Sequence, residues 1–439
     1  MIENMKLRKT NRPGWFEIRS SCPICGEKTW CRINPKEGIV YCMRIPSDEY
    51  HDSTIGRQYK HKVDKTSIEP ITPEESGDVK KKDLPYLDLI YQTMLSEMNL
   101  NPFHYENLTV KRKMTDEMIR VRQYRSLSAD IKSKVPIRIG GRLRNMDSLL
   151  GVPGFYQSNG KNGPYWTMAG AEGMMIPFRS IRNEVSGFQI RLDHPRLFLR
   201  FKGVKPSGIE VKLLPSSGLK GTIVEEMESQ NGLRMAYCEL HINNVVTKAT
   251  LTEKEKKSVK GWGEYESISI ELVQEDKYQW WSSSNKPCGS SIGGPLPYHL
   301  ALPVQLLDRW TGELASDIAS CDEVWITEGP IKADKAADAL QKPVIGLPGV
   351  GAYSLAIEPL KELGCKHVVL AIDADAAVNP KVAETLERCV EYFAKKTDMK
   401  LSLAIWDMSI GKGIDDLTDS GYLPQIICLV ESKSNKAAV

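Results

Sequence analysis

Four short apolar runs near the C-terminal end of the chain constrain its fold most. They cover 324–327, 343–347, 367–372 and 401–406, and they are mostly aliphatic with little polar alternation. Such runs are typical of strands buried on both faces of a parallel sheet. Apolar residues recur at helical spacing between them, namely Ala333, Ala336, Ala337 and Leu340, and then Val382, Leu386, Val390 and Phe393. Strand therefore alternates with helix, which predicts an α/β domain with a mainly parallel sheet over 321–439.

Acidic residues follow three of these strands. Glu328 follows the first, Asp373 and Asp375 follow the third, and Asp415 and Asp416 follow the last. Because the carboxyl ends of parallel strands share one edge of a sheet, these side chains should converge there. Neighbouring carboxylates repel, and a divalent cation relieves the repulsion. Hard oxygen donors suit Mg²⁺ or Mn²⁺, so the sequence predicts a metal site at this edge.

This ordered acidic set resembles a known domain. An E-G pair after one strand, a D-x-D after a later strand and a lysine ahead of a D-D pair are similar to the toprim domain. Bacterial-type primases, type IA and II topoisomerases and some nucleases share that domain. The resemblance implies catalytic roles for Glu328, Asp373 and Asp375, further Mg²⁺ contacts from Asp415 and Asp416, and phosphate binding by Lys412. A dinucleotide-binding fold is disfavoured, because the glycines at 346–351 follow G-x-x-G-x-G and not G-x-G-x-x-G.

Four cysteines lie close together near the N-terminus. Cys22 and Cys25 form a C-x-x-C turn followed by glycine, and Cys31 and Cys42 come shortly after. Four thiolates at such spacing can bind a tetrahedral structural Zn²⁺, which a segment too small for its own core needs in order to fold.

The cysteine segment resembles the zinc ribbon at the front of bacterial-type primases. It shares a C-P turn, an E-K-T stretch at 27–29 and a later tyrosine beside a cysteine. The family pattern would place its last cysteine at position 45, which is isoleucine here. We therefore expect Cys31 to be the fourth zinc ligand, with His51 and His61 as alternatives.

Basic and aromatic residues surround the cysteines. They are Lys6, Arg8, Lys9, Arg12, Arg19, Lys28, Arg32 and Arg44, with Trp15, Phe16, Trp30 and Tyr41 interleaved. This mixture suits single-stranded nucleic acid, although a solvated basic face would have the same composition. The whole chain carries a net charge of only +3, so any basic surface must be local.

The middle of the chain resembles the primase core. Strand-like segments at 173–179 and 187–191 form a predicted hairpin, and the pattern resumes at Lys277 after an interruption. By this resemblance Arg179, Arg191 and Lys277 contact template or nucleotide phosphates. The predicted organisation is a zinc-ribbon domain at 1–62, a linker at 63–84, an α+β core at 85–320 and the toprim domain at 321–439. A β-rich insertion of unassigned role occupies about 195–276 of the core.

Together these resemblances imply a DNA primase. We expect a nucleotidyltransferase that makes short RNA primers on single-stranded DNA from nucleoside triphosphates, for a plasmid, phage or mobile element. The alternatives are a toprim-type Mg²⁺-dependent nuclease and a non-catalytic accessory protein that binds single-stranded nucleic acid. No P-loop motif occurs, so a replicative helicase would be a separate partner. The sequence shows neither a signal peptide nor a long apolar span, and we expect a cytoplasmic protein without a membrane partner.

Overall fold

The structure is a computed structural model of the 439-residue chain. It describes residues 7–10, 12–19, 22–25, 31–45, 47–53, 56–63, 79–204, 206, 210–213, 218–229, 232–243, 245–263, 265–293, 296–374 and 380–431. The chain divides into two compact units, Met1–Arg191 with Trp280–Val439, and Leu192–Gln279. Asp375 and most of the predicted linker lie outside the described residues.

The N-terminal part of the first unit is a small antiparallel sheet. Its strands are β1 Leu7–Lys9, β2 Phe16–Ile18, β3 Arg32–Asn34, β4 Ile39–Cys42, β5 Tyr50–Ser53 and β6 Gly56–Lys62, in the order β1-β2-β3-β4-β6-β5. Its core contains Leu7, Ile18, Ile33, Val40 and three of the four cysteines. A core this small gives limited hydrophobic stabilisation. A bound metal would therefore contribute much of the stability of this sheet.

After this sheet, helices and strands alternate irregularly along the chain. They are α1 Leu84–Ser96, α2 Pro102–Glu106 with a π-helical turn at Asn107–Lys111, α3 Asp116–Arg122, β7 Arg125–Leu127, α4 Lys134–Leu143, β8 Phe155–Gly160, β9 Gly163–Met168, β10 Gly173–Arg179 and β11 Val185–Leu192. Short 3₁₀ helices occur at Ala129–Ile131 and Met146–Leu149. Helix α1 buries one apolar face, which is formed by Leu87, Ile90, Tyr91, Met94 and Leu95.

The second unit consists of antiparallel strands. They are β12 Leu197–Val204, β13 Glu210–Leu213, β14 Leu219–Glu228, β15 Arg234–Ile242, β16 Val245–Thr252, β17 Lys256–Trp262 and β18 Tyr265–Gln274. One sheet has the order β13-β12-β18-β17 and the other β14-β15-β16. Apolar residues of both sheets, among them Phe201, Leu240 and Ile270, form one core. The unit therefore has the internal packing of a small β domain.

The chain returns to the first unit at Trp280, the last residue of β19 Tyr278–Trp280, and then forms a six-stranded sheet. Its elements are β20 His299–Ala301, α5 Val304–Leu307, α6 Ala315–Ile318, β21 Glu323–Glu328, α7 Pro330–Leu340, β22 Val344–Leu347, a 3₁₀ segment Val350–Ala356, α8 Ile357–Glu362, β23 His367–Ala371, α9 Pro380–Lys396, β24 Lys400–Ile405, α10 Ile414–Asp419 and β25 Gln425–Val430. The strand order is β20-β22-β21-β23-β24-β25.

The four central strands of this sheet are parallel, as predicted, and both edges are antiparallel. The pairs β22/β21, β21/β23 and β23/β24 are parallel, whereas β20 and β25 run against their neighbours. The sheet is thus mixed, and the sequence did not indicate its two edge strands. Among the described helices, none combines the length and the apolar character needed to cross a bilayer.

Candidate active site

The strand order brings two predicted acids to one position of the sheet edge. Glu328 ends β21, and Asp373 lies two residues beyond β23, which is the parallel neighbour of β21. From β21 the chain goes first to β22 on one side and then to β23 and β24 on the other. A crevice opens at the carboxyl ends of strands where the strand order reverses in this way, and ligands bind there.

The backbone conformation explains why a glycine follows Glu328. Gly329 has a φ of +87°, which a residue with a side chain adopts only at a cost, and it begins α7 directly after Glu328. Its N–H donates to the Leu347 carbonyl oxygen of β22 at 2.7 Å, and its own carbonyl oxygen accepts from the Ala333 N–H. The turn therefore holds Glu328 at the strand end and places Lys332 in the first turn of the helix.

Two lysines pair with Asp373. The Lys332 ammonium contacts Oδ1 of this carboxylate, and the Lys412 Nζ lies 3.7 Å from Oδ2. Asp373 is 9% exposed. The two ammonium groups compensate the charge of its carboxylate. Lys412 was predicted near the phosphates, but Lys332 was not predicted as a site residue.

The last acidic pair reaches the same edge through a loop. The Lys412 carbonyl oxygen accepts a 2.9 Å hydrogen bond from the Ala374 N–H, which joins this loop to the one after β23. Gly413 lies close to two side chains, because a Cβ there would lie 2.4 Å from Asp415 Oδ1 and 3.3 Å from Lys332 Nζ. The loop therefore lies directly against Lys332.

Asp415 and Asp416 have different surroundings. Asp415 is 3% exposed and accepts from Arg112 at 3.0 Å through Oδ2, while Oδ1 is buried and has no hydrogen-bond partner among the described residues. Burial and the neighbouring Asp416 raise the pKa of Asp415, although Arg112 and Lys332 oppose the shift. Asp416 is exposed, and its Oδ2 accepts from the Gly413 N–H at 3.1 Å.

The donor set fits a divalent cation in part. Asp373 and Asp415 offer carboxylate oxygens, and the unpartnered, buried Oδ1 of Asp415 is the kind of atom that a cation would satisfy. Within the described ranges, however, the four cysteines form the one group of three or more ligating side chains that could hold a metal. Asp375 lies outside these ranges, and the Lys332 ammonium at Oδ1 of Asp373 would compete with a cation for this carboxylate.

The other predicted phosphate-binding residues lie in three different environments. Arg179 is 5% exposed and donates to Gln123 Oε1 at 2.6 Å and to Asn183 Oδ1 at 2.8 Å, and burial lowers its pKa to about 10. A contact with a template would require it to give up these bonds. Arg191 is half-buried at the end of the first unit, and Lys277 is exposed in the second.

A buried ionic network beneath the candidate site was not predicted. The Arg122 guanidinium donates to Asp334 Oδ1 at 2.6 Å and to Asp338 Oδ2 at 2.7 Å. His299 accepts the Arg179 N–H at Nδ1, so its Nε2 carries the proton that faces Asp334 Oδ1 at 3.1 Å. These contacts tie α3 and β20 to α7, the helix that carries Lys332, and they fix the position of that helix.

The four cysteines predicted as zinc ligands come together. Their sulfur atoms all lie within 4.8 Å of one another, and Cys22, Cys31 and Cys42 are buried. His61, one of the alternatives, instead has its Nε2 2.9 Å from the Ile45 carbonyl oxygen. The chemistry of four soft sulfur donors fits a tetrahedral structural Zn²⁺.

Nearby donors favour thiolates in this cluster. The backbone N–H groups of Arg44 and Ile45 donate to Cys42 Sγ at 3.4 Å, and the Arg44 guanidinium lies 3.7 Å from Cys25 Sγ. The hydrogen bond with Cys22 is the largest cause that lowers the pKa of Cys42, to about 6, while hydrogen bonds with the neighbouring thiols raise those of Cys22 and Cys31.

Part of the predicted nucleic-acid surface around the cluster lies in the described ranges. Trp15 stacks on Tyr41 with ring centroids 4.7 Å apart, and the Arg12 guanidinium lies 5.1 Å from the Trp15 centroid. Lys6, Lys28 and Trp30 are outside the described residues.

Solved primase structures are similar to this chain at a low level. The zinc-binding and RNA polymerase domains of the Aquifex aeolicus primase are 11% identical, with a TM-score of 0.42 over 94% of this chain and 76% of that chain. The E. coli primase catalytic core is 14% identical, with a TM-score of 0.40 over 81% of this chain and 78% of that one. A DnaG primase catalytic domain bound to single-stranded DNA is 14% identical, with a TM-score of 0.40 over 78% and 81%. Similarity this low assigns no residue, substrate or reaction. No family model and no curated protein matches the sequence.

Proposed function

We propose that this chain is a DNA primase-like nucleotidyltransferase that makes short RNA primers on single-stranded DNA. The observation that carries the proposal is the acidic edge. Glu328 and Asp373 end adjacent parallel strands where the strand order reverses, and a hydrogen-bonded loop brings Asp415 to the same edge. The cysteine cluster in the same chain supports the primase among the proteins with toprim-like acids.

Each part of the site has a role in this proposal. Asp373 and Asp415, with Glu328 and Asp375, would hold Mg²⁺ or Mn²⁺, and the bound ion would neutralise phosphate charge during transfer of the nucleotide. Lys412 is exposed and would contact the nucleotide phosphates. Arg191 and Lys277 would contact the template, and Zn²⁺ held by Cys22, Cys25, Cys31 and Cys42 would stabilise the N-terminal sheet. We place the enzyme in the cytoplasm, in replication of a plasmid, phage or mobile element beside a separate helicase.

One observation favours a second candidate, the non-catalytic accessory protein. Lysines compensate the charge of Asp373, and Arg112 pairs with Asp415, so part of the acidic edge is neutralised without a metal. A protein whose site has lost its catalytic role could keep such pairs and still bind single-stranded nucleic acid.

The test is a priming assay. The full chain is incubated with single-stranded DNA, labelled nucleoside triphosphates and Mg²⁺ or Mn²⁺, with and without a replicative helicase, and the products are resolved by length. Asp373→Asn is the inactive variant, and Asp308→Asn removes an exposed carboxylate as a matched control. Labelled oligomers that Asp373→Asn abolishes and Asp308→Asn preserves are the expected result. Shortened template without oligomers would identify the nuclease, and bound but unchanged DNA in every arm would identify the accessory protein.

A further inference from the structure

The second unit presents one strongly basic sheet face. In β12 and β18, Phe201 and Ile270 point into the core, so alternate residues lie on the opposite face. We name this surface the basic face and define it by Phe198, Arg200, Lys202, Lys256, Lys260 and Glu271. The register confirms the grouping, because Arg200 and Lys256 both lie opposite Glu271.

Charge on the basic face is unbalanced. Glu271 is the single acid in the set, and three cations share it, with Lys202 Nζ at 2.9 Å, Lys256 Nζ at 3.1 Å and Arg200 at 3.9 Å. Burial opposes ionisation of Glu271, but hydrogen bonds from Lys202 and Lys256 outweigh it and lower the pKa. Three cations thus contact one carboxylate, and Lys260, opposite Ser267, is a fourth cation of the set.

An exposed aromatic ring lies among these charges. Phe198 is 42% exposed, and the Arg200 guanidinium lies 6.0 Å from its ring centroid. Cations for phosphates beside a ring for base stacking form the combination that binds single-stranded nucleic acid. Phe198 lies at one end of the row that continues with Arg200 and Lys202, so a base on the ring would have its phosphates beside these cations.

We propose that the basic face is a binding surface for single-stranded nucleic acid, with Arg200, Lys202, Lys256 and Lys260 on phosphates and Phe198 against a base. This inference goes beyond the polymerase chemistry and does not need it. Binding can be measured without nucleotides or a divalent cation, so its outcome does not depend on the polymerase reaction. A failed priming assay would therefore leave this proposal standing.

The experiment measures fluorescence anisotropy of a labelled single-stranded DNA oligonucleotide with the full chain over a range of salt concentrations. Replacing Arg200, Lys202 and Lys256 together by Gln should weaken binding roughly 10- to 100-fold at 0.1 M salt, and it should reduce the slope of log affinity against log salt by about 2. The control replaces Lys220, Lys248 and Lys254 by Gln, which removes the same charge from elsewhere in the unit. The control should change neither quantity.

A second variant gives an effect of opposite sign. Glu271→Gln removes the carboxylate and should tighten binding about two- to fivefold while steepening the salt slope. Misfolding cannot mimic this gain, so the variant decides the question if the triple variant fails to fold. Equal affinity and slope for the triple variant and its control, or weaker binding by Glu271→Gln, would overturn the proposal.

Discussion

Lys332 shows how one side chain can set the metal affinity of the candidate site. Its ammonium contacts Asp373 and lies beside the loop that carries Asp415. It therefore neutralises carboxylate charge that would otherwise attract a divalent cation. Lys332→Met keeps the length of the side chain and removes this competition. We expect Mn²⁺ to bind about three- to tenfold more tightly, measured by electron paramagnetic resonance titration.

The matched control for Lys332 is Lys412→Met. Lys412 lies farther from Asp373, at 3.7 Å, and its side chain is 60% exposed against 24% for Lys332. Water screens its charge more, so its removal should change Mn²⁺ affinity less. Unchanged or weaker Mn²⁺ binding by Lys332→Met would show that Lys332 does not compete with a cation.

The cysteine cluster makes a prediction about metal content. Cys42→Ser removes a buried sulfur that two backbone N–H groups stabilise as a thiolate. We expect the purified variant to lose about one equivalent of zinc by mass spectrometry and to unfold its N-terminal sheet at a lower temperature. Cys428→Ser alters an exposed cysteine outside the cluster and should retain the metal. Equal zinc content in the two variants would contradict the assignment.

At the residue scale the sequence indicated the motifs but not their partners. The C-x-x-C turn and the acids after strands are local patterns, so they could be seen in a single sequence. The pairing of Arg112 with Asp415 joins residues 303 positions apart, and no local pattern encodes it. Lys332 had a weak signal, since a lysine four residues after Glu328 falls in the first turn of the following helix.

Elements were predicted where burial gives a simple pattern. The four central strands are buried on both faces and read as continuous apolar runs. The edge strand β25 is exposed along most of its length, and β20 has only three residues, so neither has enough pattern to indicate its direction. Helix α7 was predicted from the spacing of its alanines and Leu340, but that spacing gave no sign that Asp334 is buried.

The ionic network holds α7 in place, and its loss should be costly. Arg122→Met leaves Asp334 buried without its main counter-charge, and we expect the free energy of unfolding to fall by about 3–5 kcal/mol. Arg120→Met in the same helix removes an exposed pair with Asp308 and should have little effect. Denaturant unfolding of the two variants measures the difference. Equal stabilities would mean that the network does not anchor the helix.

The same network predicts that the stability of the fold depends on pH in the acidic range. Burial alone would raise the pKa of Asp334, but Arg122, His299 and Tyr124 outweigh it and hold the pKa at about 2. This is below the unfolded value of about 3.9, so ionised Asp334 stabilises the fold above that pH and ceases to do so as the pH falls through about 2. Thermal midpoints measured from pH 6 to pH 2 should fall more steeply for the native chain than for Asp334→Asn. Parallel curves would exclude Asp334 as a source of acid sensitivity.

For the whole molecule, the two connections of the second unit suggest that it can be removed. The Leu192 N–H donates to the Lys277 carbonyl oxygen and the Trp281 N–H to that of Phe188, both at 2.9 Å, so the chain leaves and returns on neighbouring strands. Replacing 193–276 by Asn-Gly would close a two-residue hairpin turn there. We expect the shortened chain to fold and to bind Mn²⁺ as the full chain does, because the acidic edge belongs entirely to the first unit. Its affinity for single-stranded DNA should fall at least as far as that of the triple Gln variant, because the basic face is gone. Native DNA affinity in a folded shortened chain would place all nucleic-acid binding on the first unit, and loss of Mn²⁺ binding would show that the second unit supports the acidic edge.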